Sequence, residues 1–186
     1  MEIIKIENGY LSNNYLIVEG NNALLVDCSC TEYRLRELLG DKNLVGVILT
    51  HGHFDHFICL KQVLNAFGCK AYMHKRAYNK LNDELANASL YFGNPIKLQI
   101  SKDLVNYLGD NDNIKIGDFE IEVFEAFGHT DDSILIKIKD NIFTGDFVFE
   151  NGYGRTDLIT GDFEQFKKYY KKHLKMLETN NLFFGH

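Results

Sequence analysis

The run His51-Gly52-His53-Phe54-Asp55-His56 constrains this 186-residue chain more than any other feature. The chain carries seven histidines, and three of them fall within these six positions, a density that packing or surface polarity does not require. Val45 to Leu49 precede the run and read as a strand. In extended backbone, residues i and i+2 point the same way, so the His51 and His53 imidazoles converge on one ion. Asp55 continues that direction. His56 falls near the start of a helix predicted over Asp55 to Phe67, so the chain turns there and its ring points to a neighbouring position. Four donors so arranged suit two adjacent metals better than one. Imidazole with carboxylate suits zinc, iron or manganese.

Three further donors sit where apolar segments run out through a glycine. His129 follows Phe127-Gly128, Asp146 follows Phe143-Thr144-Gly145, and His186 follows Phe183-Phe184-Gly185. Each is weak alone. Together with the first run they place seven donors along one sheet edge, enough for two ions.

The remaining pattern predicts strands over Ile3 to Ile6, Tyr15 to Val18, Ala23 to Asp27, Ala71 to Met73, Ile114 to Ile116, Phe119 to Phe124, Ile134 to Ile138, Asn141 to Thr144 and Asn181 to Phe184. Helices are predicted from Thr31, as N-cap, to Leu39, from His74 to Leu81, and from Asp162 to Leu177. The last places Phe163, Phe166, Tyr170, Leu174 and Leu177 on one face. Hairpins mixed with single helices suggest an α+β sandwich of two sheets with helices outside. With no linker or repeat, residues 1 to 186 are expected to form one domain. His74 is expected to be structural, and His173, on a lysine-rich helix face, to be solvated.

The formal net charge is -6, and the densest basic run is only Lys167 to Lys175, which argues against nucleic acid as a partner. The N-terminus lacks a secretory pattern, and no apolar stretch reaches membrane-spanning length, so the expected location is the cytoplasm with no membrane partner. Cys28, Cys30, Cys59 and Cys69 are then expected to be reduced and to pack as small apolar residues.

Thr50-His51-Gly52-His53-Phe54-Asp55-His56, with Gly128-His129-Thr130, Thr144-Gly145-Asp146 and Gly185-His186, resembles the metallo-β-lactamase superfamily. Gly154-Arg155-Thr156-Asp157-Leu158 followed by Gly161-Asp162 is similar to its glyoxalase II branch. The resemblance covers essentially the whole chain and implies a four-layer αβ/βα sandwich with metals at one edge. It implies that His51, His53 and His129 hold a first metal, that Asp55, His56 and His186 hold a second, and that Asp146 bridges them. Asp55 can also orient the water or take its proton. The implied cofactors are two divalent ions, zinc foremost, with iron or manganese as alternatives.

The same resemblance implies that Asp27 hydrogen-bonds a metal-binding imidazole and that Arg155 pairs with Asp157 to fix the loop after Asp146. Asn82 to Lys97 is a candidate lid, and Tyr91, Phe92 and Tyr153 are candidate substrate contacts. Three departures from the family stand out. Asp131-Asp132 replaces the usual Pro-Gly, Phe57-Ile58 stands where small glycines are common, and Cys28-Ser29 replaces Pro-Gly after the strand aspartate. The chain has no room for the C-terminal helical region with which glyoxalase II enzymes grip glutathione. Because His186 is the last residue, the second metal is expected to be bound less tightly than the first.

The function these residues imply is hydrolysis of a thioester or related ester, as a small-molecule substrate, by a metal-activated hydroxide. A persulfide dioxygenase with one iron on His51, His129 and Asp146 is the alternative enzyme. A metal-stabilised binding domain without catalysis is the alternative of another class. A lactonase or β-lactamase fits the Gly-Arg-Thr-Asp segment less well.

Overall fold

The computed structural model describes residues 1–9 and 11–186. Strands β1 (Glu2–Ile6), β2 (Asn14–Glu19), β3 (Asn22–Val26), β4 (Asn43–Ile48), β5 (Lys70–His74) and β6 (Val105–Leu108) form one sheet in that order. β1 to β3 are antiparallel hairpin neighbours, whereas β3 to β6 run parallel. Helices α1 (Glu32–Leu39), α2 (Phe54–Phe57), α3 (Leu60–Phe67) and α4 (Lys75–Lys80) occupy the crossovers between the parallel strands. The second sheet has the order β13 (Asn181–Phe184), β10 (Asn141–Gly145), β9 (Ile134–Ile138), β8 (Phe119–Glu125) and β7 (Asn113–Ile116). Only the β13–β10 pairing in it is parallel, because α5 (Phe163–Thr179) carries the chain back across the sheet.

The two-residue period of the strands sorts the core into layers. On β2, Tyr15 and Ile17 face the other sheet, while Leu16 and Val18 face the helices. Leu24 and Val26 of β3 join Ile48, Phe119, Ile121, Val123, Ile136 and Phe143 between the sheets. Leu35, Leu39, Leu60, Val63 and Leu64 cover the outer face of the first sheet. Phe166, Tyr169 and Leu177 cover the second sheet over Leu135 and Ile142. Each fully buried leucine contributes about 2 kcal/mol. This is the four-layer arrangement expected from the sequence, and none of the described helices is long and apolar enough to cross a membrane.

Four differences from the sequence reading have physical causes. The helix expected over Asp55 to Phe67 is broken between α2 and α3, because Cys28 N–H donates to the His56 carbonyl (2.6 Å) and Cys59 N–H to the Cys28 carbonyl (3.0 Å). The strand β6 is additional, recruited by pairing with β5 from a segment without clear alternation. A short hairpin of β11 (Val148–Phe149) and β12 (Gly152–Tyr153) follows Asp146. On α5 the buried stripe is Phe166, Tyr169, His173 and Leu177, and Phe163, Tyr170 and Leu174 are exposed. His173 is therefore buried rather than solvated. Its Nε2–H donates to the Glu125 carbonyl (2.8 Å), which draws that face of the helix onto the sheet. His74 is structural as expected, capping α4 by accepting from the Arg76 N–H (3.2 Å). Cys28, Cys30 and Cys69 are buried free thiols, and Cys59 is half-buried.

Tyr15 crosses between the sheets and donates its hydroxyl to the Phe184 carbonyl at 2.6 Å. Burial, with help from the nearby negative charge of Asp27, pushes its pKa up to about 12. In the unfolded chain a tyrosine loses its proton near pH 10. Stability from this group is therefore complete below about pH 10 and is lost as pH rises toward about 12. Denaturant unfolding of native protein and Tyr15→Phe across that window tests this. The native stability is expected to fall more steeply with pH than that of the variant, and parallel curves would contradict it.

Candidate metal centre

The seven candidate donors arrive from four places at the same sheet edge. β4 ends at Ile48, and the loop to α2 delivers His51 and His53, with Asp55 and His56 on α2 itself. The turn between β8 and β9 delivers His129, the end of β10 delivers Asp146, and the end of β13 delivers His186. Strand register holds these loops together. Ile134 N–H donates to the Thr50 carbonyl (2.9 Å), and Gly185 N–H donates to the Gly145 carbonyl (2.9 Å). Gly145 has φ +51°, and a Cβ there would lie 2.5 Å from Thr50 Oγ1, so both its conformation and its neighbour require glycine.

Donor atoms of His51, His53 and His129 lie within 4.8 Å of one another, as do those of His51, His56 and Asp146, and those of Asp55, His56 and His186. His129 Nε2 lies 3.0 Å from His53 Nδ1. Asp146 reaches both sets: Oδ1 is 3.3 Å from His56 Nε2, while Oδ2 is 3.6 Å from His129 Nε2 and 3.5 Å from His186 Nε2. His186 Nε2 is 3.2 Å from Asp55 Oδ2. Every one of the seven residues is thus brought to one place.

Neighbouring groups set which ring nitrogen carries the proton. His56 Nδ1–H donates to Asp27 Oδ2 (2.8 Å), and His129 Nδ1–H donates to the Arg155 carbonyl (2.7 Å). Thr50 Oγ1–H donates to Asp27 Oδ2 (2.9 Å), which leaves its oxygen to accept from His51 Nδ1–H (3.1 Å). The neutral His51 and His129 rings therefore present an Nε2 lone pair inward, and Asp27 aims the Nε2 of His56 the same way. Burial, reinforced by mutual repulsion, pushes His51 and His53 far below the ordinary histidine pKa. Burial lowers His129 as well. These are neutral imidazoles, the form that binds a metal.

The other half of the site is charged. Burial works against a charge on His56, but the carboxylates of Asp27, Asp146 and Asp55 outweigh it and raise its pKa. Burial likewise works against Asp146, yet His56, His129 and His186 hold it well below the usual carboxylate range. Among the described residues, His51 Nε2 and His53 Nε2 are buried atoms with no hydrogen-bond partner, and His56 Nε2 and Asp146 Oδ1 have only each other, at 3.3 Å. Such orphaned atoms are costly unless something satisfies them, and converging imidazole and carboxylate donors fit divalent cations.

Asp27 is the deepest support. It is buried at φ +57°, and it accepts from the Thr50 backbone N–H (2.8 Å), the Thr50 hydroxyl and His56. Arg155 and Asp157 form the expected ion pair, with Nε and Nη2 each 2.8 Å from a carboxylate oxygen. That pair holds Asp157 at about 2 although it is exposed. The contact to a candidate donor comes from the Arg155 carbonyl, which the sequence did not signal. His186 itself is about a third exposed, but the chain end beneath it is tied down. Asn13 N–H donates to the Gly185 carbonyl (2.7 Å), and Asn13 Nδ2 and Tyr15 both donate to the Phe184 carbonyl.

A cavity of about 450 Å³ opens against the donors, walled by Phe54, Ala88, Phe92, Phe149 and Leu158, with Arg155 at its edge. A larger groove of about 560 Å³ lies at Glu19 and Lys139, far from the imidazoles, and has no such donor set. Ala88 and Phe92 belong to the Asn82 to Lys97 segment. It is fastened by Asn87, whose Nδ2 donates to the Lys80 and Ile96 carbonyls and whose own carbonyl accepts from Phe54 N–H. Phe92 lies at the cavity as expected. Tyr91 is exposed and does not line it. Tyr153 stacks on Phe166 (4.4 Å) in a groove on the far side of the β11–β12 hairpin, because that hairpin turns its ring away from the donors.

Residues 8–186 match the metallo-β-lactamase superfamily model. The chain belongs to the metallo-β-lactamase superfamily. It is 29% identical over 158 residues to the probable metallo-hydrolase YqgX of Bacillus subtilis, covering 82% of this chain and 74% of that one. It is 30% identical over 169 residues to the hydroxyacylglutathione hydrolase GloC of Haemophilus influenzae, covering 88% and 79%. The solved structure of the B3 metallo-β-lactamase BLEG-1 superposes with TM-score 0.89 at 27% identity, over all of this chain and 91% of that one.

Replacing Asp27 with alanine strands the Thr50 N–H and the His56 Nδ1–H in the interior. Urea unfolding of the metal-free protein is expected to show a loss of at least about 2 kcal/mol, from buried donors left unpaired. A loss within about 0.5 kcal/mol, typical of a surface change, would contradict the role given to Asp27.

Proposed function

We propose that this protein is a metal-dependent hydrolase of thioesters or related esters that carry a small, uncharged acyl group. The observation that carries the reading is the convergence of orphaned buried nitrogens and the Asp146 oxygen beside an apolar cavity. His51, His53 and His129 would hold one divalent ion and Asp55, His56 and His186 a second, with Asp146 within reach of both sets. Zinc fits this donor set, as do iron and manganese. Two ions at such a site supply a Lewis acid for the acyl carbonyl and a water acidic enough to ionise near neutral pH.

The chain's own residues do the rest. Asp55 stands at the cavity edge beside His186, placed to orient the attacking water and accept its proton. Phe54, Phe92, Phe149 and Leu158 exclude bulk water from the carbonyl and receive the acyl group. Arg155, the cation at the cavity edge, is already paired with Asp157, which offsets its charge toward an acyl carboxylate. The likeness to GloC favours a thioester over other acyl compounds. The likeness to BLEG-1 makes a β-lactam the competing substrate class.

Metal-loaded protein is tested against a panel of acyl thioesters, lactones and β-lactams. Thioesters with short apolar acyl groups are expected to be turned over fastest. Asp55→Asn is expected to lower kcat by roughly 10²-fold or more, the range for loss of a general base. Unchanged turnover in that variant would overturn the mechanism. Iron content at one ion per chain, with oxygen uptake on a persulfide and no thioester turnover, would replace the reading with the dioxygenase. Metal uptake with no turnover of any of these would leave a binding domain.

His186→Ala removes a donor from one ion only. Metal analysis is expected to find the second ion lost and the first retained. Two tightly held ions in that variant would contradict the assignment of His186.

A further inference from the structure

Lys80, the last residue of α4, is buried, with only 5% of its side chain exposed. Its ammonium contacts Asp132 Oδ1, Asp131 Oδ1 (2.7 Å) and Thr160 Oγ1 (2.9 Å). Asp132 is fully buried, and its second oxygen accepts the backbone N–H of Gly52 at 2.7 Å. Gly52 is the residue between His51 and His53. A Cβ on it would lie 3.0 Å from Asp132 Oδ2, 3.0 Å from Lys80 Cβ and 3.1 Å from the Ala77 backbone, so α4 presses directly on this peptide. Neither Lys80 nor Asp132 lines the cavity.

We propose that Lys80 and Asp132 are a positioning pair for the first metal ion, acting by holding the peptide that joins His51 and His53. The pair rests on the two-ion reading of the site but not on the identity of the substrate. Asp27 holds this loop at Thr50, on one side of the two imidazoles. Asp132 holds it at Gly52, between them. With both points fixed, the backbone that carries the two rings cannot rotate without breaking a buried, charge-assisted hydrogen bond. Lys80 is what keeps Asp132 in place. Without it, the fully buried Asp132 would face the charge of its half-exposed neighbour Asp131 uncompensated and turn toward water. Its contact with Thr160 also joins the loop after Arg155 to the same anchor. The second ion's donors, Asp55, His56 and His186, have no contact with this pair.

Cobalt(II) titration of metal-free protein tests the proposal without any substrate, so a failure of the hydrolase reading leaves it standing or falling by itself. Lys80→Met and Asp132→Ala are expected to weaken binding of the first equivalent by roughly 10–100-fold, the usual effect of losing a partner behind a metal ligand. Both should also alter the visible cobalt spectrum. Lys80→Met/Asp132→Asn removes both charges but keeps an acceptor for the Gly52 N–H. It is expected to bind the first equivalent within about threefold of the native protein, which would show the pair to be coupled. Native affinity and spectrum in Lys80→Met would overturn the proposal. So would equal weakening of both equivalents together with a lowered Tm that the double variant does not restore, since that marks a merely structural role.

Discussion

The Asp27 carboxylate is the interaction on which the rest of this site depends. It sits at the end of a central strand in a left-handed conformation, and it accepts from Thr50 and from His56 at once. By accepting from His56 Nδ1–H it directs the other nitrogen inward. Through the Thr50 hydroxyl it sets His51 the same way. A single buried acid thus fixes the orientation of two imidazoles and the path of the backbone between them. The cost of burying that charge is offset by the hydrogen bonds it receives and by His56, whose raised pKa is the counterpart of the same contact.

The two halves of the centre differ in electrostatic character. His51, His53 and His129 are neutral, crowded and deeply buried. Asp55, His56 and His186 are mixed acid and base, with Asp55 and His186 the more exposed donors and Asp146 between the two sets. The two sets share the run from His51 to His56 and differ in the segment that completes each. The β8–β9 turn completes the neutral set with His129, whereas His186 comes from β13, an edge strand whose end is clamped by Asn13 and Tyr15. That clamp holds the backbone beneath His186 against the first sheet.

Much of this was legible in the sequence because it rests on local periodicity. The i, i+2 spacing of His51 and His53, the glycine before each of His129, Asp146 and His186, and the alternation along β8 and β9 are all written in short windows. What stayed hidden depends on contacts between distant segments. The break between α2 and α3 is made by Cys28, some thirty residues back along the chain. The buried stripe of α5 could not be chosen from its apolar residues alone, since two overlapping stripes fit, and the Glu125 carbonyl selects the one that carries His173. Lys80 gave no signal at all, though the unusual Asp131-Asp132 after His129-Thr130 marked the place where a cation would be needed. Tyr153 was close to Asp146 in sequence but is turned outward by the β11–β12 hairpin.

The central claim is that one carboxylate, Asp146, joins two metal positions at this sheet edge. Anomalous diffraction from crystals grown with the divalent metal the protein retains on purification tests it most directly. Two anomalous peaks are predicted, one against His51, His53 and His129 and one against Asp55, His56 and His186, with the Asp146 carboxylate touching both. A single peak at full occupancy, with Asp55 and His186 in contact with no ion, would contradict it.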